Sequence, residues 1–290
     1  VGKSAFRRLA LDFAAGRTCH RRFHSSSIMG LKILCLVKQT FATDAKIGLN
    51  ASGGIDDAGA KFVPNPYDEF GVEQAIQLKE AGQAESVTIL TFGAEAAVSE
   101  SVRKALAFDA DDAIIVDPGS VGAEDLDASV RAAALAAAAK KRGFDLILCG
   151  KVAVDSGAGE TAGRMAEILG VPFVNVVGKL EIQNGAVVAH READGRIEVV
   201  EAKLPAMVSA EKNLNRPRYP KLPNIMKAKK KPVEKMMLAD LLPQRPPATR
   251  KTVKYELPPA KEPVKILQGS PQEAAAELVR RLRDEAKVIK

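Results

Sequence analysis

Apolar and polar positions along the first two thirds of this chain follow two alternating periods. Leu31 to Val37, LKILCLV, is a nearly continuous apolar run with the length and composition of a strand buried on both faces. The pattern then turns helical, with Asn65-Pro66 supplying an N-cap and a first-turn proline for a helix through Leu78 that Gly82 closes. Further strands are predicted at Ser86 to Phe92, Ala113 to Val116 and Asp145 to Cys149. Helices are predicted between and after them, at about Ala94 to Ala107, Leu126 to Lys141 and Glu160 to Leu169. Strands alternating with helices in this way predict an α/β fold, a parallel sheet covered on both faces. Asn184-Gly185 and Asp194-Gly195 then separate strands near Leu180, Val187 and Ile197, which predicts an antiparallel meander added to that sheet. A strand at Ala206 to Ser209 leads into a basic, proline-containing loop. Residues 242–263 are proline-rich and read as an extended arm, ending in a helix capped by Ser270, Pro271 and Glu273 with Leu278 and Leu282 on one face.

Charge is unevenly spread over this pattern. The net +7 of the 290 residues conceals +5 in residues 1–28 and +7 in residues 211–235, so the remaining body is acidic. A uniformly basic nucleic-acid binder is therefore excluded. The apolar runs fall far short of the roughly 20 residues that cross a bilayer. Residues 1–28 carry Phe6, Leu9, Ala10 and Phe13 at helical spacing beside Arg7 and Arg8, followed by a serine-rich stretch. That is the composition of a mitochondrial transit peptide and predicts a matrix protein.

Scarce residues narrow the chemistry. Outside residues 1–28 only His190, Cys35 and Cys149 remain of the three His and three Cys, too few for a zinc site. Both cysteines lie in apolar strands and read as buried thiols. No nucleophile elbow accompanies His190, so no catalytic residue is assigned. Ligands of open parallel sheets bind where strands end and helices begin, which selects Val37 to Lys46, Phe92 to Ala94 and Gly150 to Thr161. The last, GKVAVDSGAGET, formally meets G-x-G-x-x-A at Gly157, Gly159 and Ala162, but too far after its strand for a dinucleotide fingerprint. Glycine amides followed by a helix start at Thr161 instead suit a phosphate.

Residues 215–231, NRPRYPKLPNIMKAKKK, place Leu222, Ile225 and Met226 among lysines and arginines, the make-up of a docking loop for an acidic partner. Together with VPNPYDEFGVEQAIQLKE, GKVAVD and HREADGRIEVVEAKLPAMVSA upstream, this segment closely resembles the beta subunit of electron transfer flavoprotein, in order and spacing over about residues 31–290. The resemblance implies a Rossmann-like adenine-nucleotide-binding domain over 29–235, and a carboxyl-terminal arm and helix over 236–290 packing on an alpha subunit. It implies an electron carrier without substrate chemistry of its own. Such a carrier shares FAD with the alpha subunit, is reduced by acyl-CoA dehydrogenases, and is oxidised by a membrane electron transfer flavoprotein-ubiquinone oxidoreductase.

Carried over residue by residue, the recognition loop is 210–232 with Leu222 as anchor, flanked by Arg218, Tyr219, Pro223, Ile225, Met226, Lys227 and Lys230. The two lysines correspond to positions methylated in some members. Glu192 matches the acid that assists the mobile flavin domain, and Tyr67 the aromatic that approaches the flavin. A structural AMP is implied at Leu36, Asn65, Pro66, Tyr67, Asp68, Phe92 and the loop Gly150, Lys151, Val152, Ala153, Val154, Asp155, Ser156, Gly157, Ala158, Gly159, Glu160 and Thr161. This loop departs from the Asp-rich, Asn/Gln-Thr-Gly run usual in AMP-binding members, and Arg196 stands close to Glu192 in sequence. A bifurcating or nitrogen-fixation-type subunit is the nearest alternative, disfavoured by the amino-terminal segment and the loop pattern. A nucleotide-binding stress-type protein would need aromatics interleaved with KAKKK, and only Tyr219 is near.

Overall fold

The computed structural model describes residues 30–122, 125–261 and 263–289, so the expected transit segment lies outside the described residues. The chain divides into two compact units, one reaching Lys46 and resuming over Gly59–Thr252, the other Ile47–Ala58 with the chain from Val253 onward.

The first unit is built on a nine-stranded sheet. Strands β1 (Leu31–Leu36), β6 (Ala84–Phe92), β7 (Asp112–Asp117) and β8 (Leu146–Gly150) form its centre, and β1 pairs in parallel with both β6 and β8. Beyond β8 come β12 (Ala206–Ala210) and β9 (Phe173–Gln183), still parallel, then antiparallel β10 (Ala186–Ala193) and β11 (Arg196–Lys203). The two hairpin turns have both central residues at positive φ, Asn184 and Gly185 at 50° and 74°, Asp194 and Gly195 at 50° and 71°. That geometry matches the right-handed strand twist and is why Asn-Gly and Asp-Gly were readable as turns.

Alternation along β1 sends Ile33 and Cys35 to one face and Leu34 and Leu36 to the other, and each face has its own core. Helices α1 (Pro66–Glu80) and α2 (Glu95–Leu106) supply Val72, Ile76, Val98 and Val102 to the first core. Helices α3 (Ala128–Arg142) and α4 (Thr161–Leu169) supply Leu135 and Met165 to the second. Each fully covered Leu or Ile contributes about 1.5–3 kcal/mol by leaving water. Five of the eight alanines of α3 are buried, so this face of the helix lies close against its neighbours, and Gly143 ends it.

Several elements escaped the sequence reading. The basic loop contains helix α5 (Leu222–Ala228), and the chain returns as β13 (Val233–Met237), a parallel edge strand beside β7, then short helix α6 (Leu238–Leu241). The VEKMM segment has only Met236 fully covered, so its apolar signal is faint, and its charged Glu234 and Lys235 suit an edge. Strands β2 (Gln39–Phe41) and β5 (Phe62–Pro64) pair as a small ribbon. In the second unit β3 (Gly48–Leu49) and β4 (Ile55–Asp56) pair, and helix α7 (Pro271–Asp284) starts with the expected Ser270–Glu273 capping box. No residue of α7 is buried, and Leu278 and Val279 stay exposed.

One close approach fixes α1 on the sheet. A Cβ built on Gly150 would lie 2.6 Å from the Tyr67 carbonyl carbon and 2.6 Å from Asp68 Oδ1. Gly150→Ala is expected to destabilise the fold by about 1–3 kcal/mol, because helix start and strand end must separate. Urea unfolding measures this, and a loss within about 0.5 kcal/mol, the scale of an ordinary surface change, would mean that α1 can back away freely.

Candidate functional site

The carboxyl ends of β1 and β8 and the start of α1 meet at Asp68. Its carboxylate accepts the backbone N–H of Lys38 at 2.8 Å and of Gly150 at 2.9 Å, tying the ends of two adjacent strands to the first turn of the helix. Asp68 is buried, and burial pushes its carboxyl up to about 6 even though those N–H groups and Asn65 work in the other direction. Asn65 precedes the helix as expected, but its side chain does not cap it. Instead Asn65 Nδ2 donates to the Val152 carbonyl at 2.9 Å, and its Oδ1 accepts the Val154 N–H at 3.1 Å. The NPYD motif thus organises the loop after β8 as well as its own helix. Leu36 is covered at the end of β1, and Phe92 half-covered at the end of β6.

The Gly150–Thr161 loop is open and bracketed by ion pairs. Lys38 Nζ meets Asp155 at 2.7 Å. Gly157 and Gly159 stand at φ 63° and 61°, and nothing lies within 4 Å of a Cβ built on Gly157. Glu160 immediately precedes α4 without capping it; Arg164, at 3.0 Å, and Arg250 hold its carboxyl below the usual range. Arg250 is brought there by Asp127. One carboxylate caps α3 through Ser129 and Val130 N–H, each at 3.0 Å, and also accepts the Thr249 N–H at 2.7 Å and hydroxyl at 2.8 Å. Burial alone would raise Asp127, but the N–H groups of Val130, Thr249 and Ser129 and the Thr249 hydroxyl hold it well below the ordinary carboxylate range. The loop after β8 is therefore rich in backbone donors, while its two acids are already neutralised.

A second feature opens beside it, a cleft of about 380 Å³ lined by Tyr67, Lys151, Val176, Glu192, Glu211 and Asn213 among others. Lys151 Nζ sits 5.0 Å from the centre of the Tyr67 ring and pairs with Glu211. The hydrogen bond to Glu211 raises the Lys151 ammonium above its usual value. Val176 has φ 58°, a strained setting for a β-branched side chain, and its N–H is held by the buried Ser209 hydroxyl at 2.9 Å. Glu192 is exposed on β10 opposite Ile197, whereas Arg196 pairs with Ala193. Neighbouring strand positions face opposite ways, so the Arg196 side chain is directed away from Glu192.

The residues expected to dock a partner gather on and beside α5. Leu222, Ile225 and Met226 are 72%, 42% and 56% exposed, and Pro223, Lys227 and Lys230 are exposed with them, as is Tyr219. Arg218 stands apart from this group, because its guanidinium is turned back onto Glu73 and Glu80 of α1. The buried thiols of Cys35 and Cys149 are pushed up by burial and by the nearby Asp68 charge, so both stay protonated. Among the described residues no cluster of His, Cys, Asp or Glu is placed to hold a metal, and no described helix is long and apolar enough to cross a membrane.

Residues 52–241 match the electron transfer flavoprotein domain. The chain belongs to the electron transfer flavoprotein beta subunit family. It is 44% identical over 264 residues to the electron transfer flavoprotein subunit beta of Bacillus subtilis, covering 89% of this chain and all of that protein. It is 35% identical to the probable subunit beta of Saccharomyces cerevisiae, over 88% of this chain and 96% of that one. The human subunit beta is 34% identical, over 88% and 97%.

The motif reading brought together the residues around Asp68 and the β8 loop, and the strand-end rule included Lys38; Glu211 and Asn213 were assigned only to the recognition loop, and Arg164 and Arg250 were missed. Lys38 and Glu211 each follow the carboxyl end of a parallel strand, so that placement rule could have found Glu211 had β12 been treated like β1 and β8. Arg250 lies on the proline-rich arm and has no local signal.

Asp68 predicts a pH effect. Its folded-state pKa of about 6 exceeds the ordinary 3.8, so protonation favours the folded protein below about pH 4 and that contribution is lost as pH rises through 6. The stability advantage of the parent over Asp68→Asn should shrink between about pH 4 and 7 in urea titrations; an advantage that grows over that range would refute the shift.

Proposed function

We propose that this chain pairs with an alpha subunit to form an electron transfer flavoprotein of the mitochondrial matrix. In this reading it accepts electrons from acyl-CoA and other dehydrogenases and passes them to a membrane electron transfer flavoprotein-ubiquinone oxidoreductase. The observation that carries the docking role is α5: three exposed apolar side chains stand within a cluster of lysines on an otherwise acidic body. Positive charge speeds encounter with an acidic partner, and a small apolar anchor holds it after contact. The matrix location rests on the composition of residues 1–28.

FAD supplies the electron chemistry when bound, and this chain contributes only part of its surroundings. Tyr67, steadied by the Lys151 ammonium and backed by Glu211, offers a flat, polarised face in the cleft, with Glu192 exposed at its rim. An open cleft of this kind suits a flavin carried largely by the alpha subunit. The β8 loop fits AMP through the chemistry of its donors. The start of α4 has no side-chain cap, Gly157 leaves room, and Asp155 and Glu160 have their charge neutralised by Lys38, Arg164 and Arg250. The exposed apolar positions of α7 support its packing on the alpha subunit.

Two measurements test these roles. Leu222→Ala is expected to slow reduction of the heterodimer by acyl-CoA dehydrogenase about tenfold or more, the scale of one lost apolar anchor, with FAD content unchanged. An unaltered rate would remove Leu222 from the interface. Mass analysis of nucleotides released from denatured heterodimer should find AMP together with FAD, and FAD alone would eliminate the AMP assignment.

A further inference from the structure

The docking segment is gripped at both ends by basic side chains. On the outgoing side Arg218 lies across α1. Its Nε and Nη2 donate to Glu73 at 2.8 and 2.9 Å, and its Nη1 and Nη2 donate to Glu80 at 2.6 and 2.9 Å. Its backbone N–H adds a bond to Glu73 at 3.2 Å, and Asn215 Nδ2 donates to the Phe70 carbonyl at 2.9 Å. On the returning side Arg103 of α2 donates to the carbonyls of Ala228 and Lys231 at 2.8 and 2.7 Å. Lys231 Nζ meets Asp109 at 3.0 Å. Between the two grips stand the exposed apolar residues of α5.

The outgoing grip has one seat. A guanidinium presents five donors in a rigid fork, and here two carboxylates occupy it. The Glu73 side chain is only 4% exposed, so it has little freedom to move with the arginine. A lysine's single rotatable ammonium could not hold both acids in this way. The charge of Arg218 is consequently directed into the domain, unlike that of Lys227 and Lys230, which faces solvent.

We propose that Arg218 is a positioning residue, seated by Glu73 and Glu80 so that α5 meets its partner in a fixed orientation, and that it does not touch the partner itself. This rests on the reading of α5 as a docking surface. A loop ordered beforehand loses less conformational freedom on binding, so the same apolar anchor gives a tighter encounter.

The test uses the FAD-loaded heterodimer with Glu73→Gln, Arg218→Ala and the double variant, which leaves no unpaired buried carboxylate and guards against loss of folding. FAD content should be unchanged, amide exchange over residues 219–228 should quicken, and KM for acyl-CoA dehydrogenase should rise about tenfold with little change in kcat. Glu73→Gln is decisive in sign. It removes a negative charge just beneath a surface suited to an acidic partner, so electrostatics alone would lower KM, whereas loss of the grip raises it. An unchanged or lowered KM in Glu73→Gln, or unchanged exchange in the double variant, overturns the proposal. If Leu222→Ala raises KM while the Arg218 and Glu73 variants do not, only the positioning role fails. If Leu222→Ala also leaves KM unchanged, the docking reading itself falls, and the positioning role with it.

Discussion

A single buried carboxylate governs the working end of this domain. Asp68 joins the N–H groups that follow β1 and end β8, and it does so from the first turn of α1. Those N–H groups lie where the sheet ladder gives out, and a buried donor left unmet would cost about 1–3 kcal/mol. The glycine at 150 is what lets the carboxylate approach, because a side chain there would occupy the space of Asp68 and the Tyr67 backbone. Tyr67, one residue earlier, is thereby fixed at the mouth of the cleft, and Asn65 is turned toward the loop after β8. The position of the aromatic, the shape of the loop and the seat of the helix thus share one cause.

The rest of the surface extends this economy. Asp127 caps α3 and at the same time holds Thr249, which sets Arg250 against Glu160 at the start of α4. Glu73, buried midway along α1, and Glu80, at its exposed end, seat Arg218 and with it the start of the basic segment. Helix α1 therefore serves two regions, the loop after β8 through its first turn and the basic segment through its later turns. The positive charge of this segment that faces solvent, on Arg216, Lys221, Lys227, Lys229 and Lys230, has no ion-pair partner among the described residues.

Much of the fold was legible because each element carried its own local code. LKILCLV is apolar at every position that a doubly covered strand must bury, and Asn184-Gly185 and Asp194-Gly195 are residue pairs suited to two successive positive φ angles. The basic segment was read as loop because proline and lysine dominate it, yet Pro223 falls in the first turn of α5, where its missing N–H does no harm. Strand β13 was invisible for a different reason. An edge strand buries little, and only its pairing with β7 makes Val233–Met237 a strand.

The candidate site divides along the same line. Sequence alone determined the alternation of strands and helices, the turns, the NPYD and GKVAVD motifs and the apolar residues set among lysines, because these depend on neighbours a few residues apart. Only the tertiary structure decided that Asn65 would leave its helix uncapped to shape a loop 87 residues away, that Glu211 would complete the Lys151 and Tyr67 cluster, and that Arg218 would turn inward rather than outward. Hydrogen bonds and ion pairs of that kind are chosen by what the fold brings within about 3 Å, a distance that has no counterpart in sequence spacing.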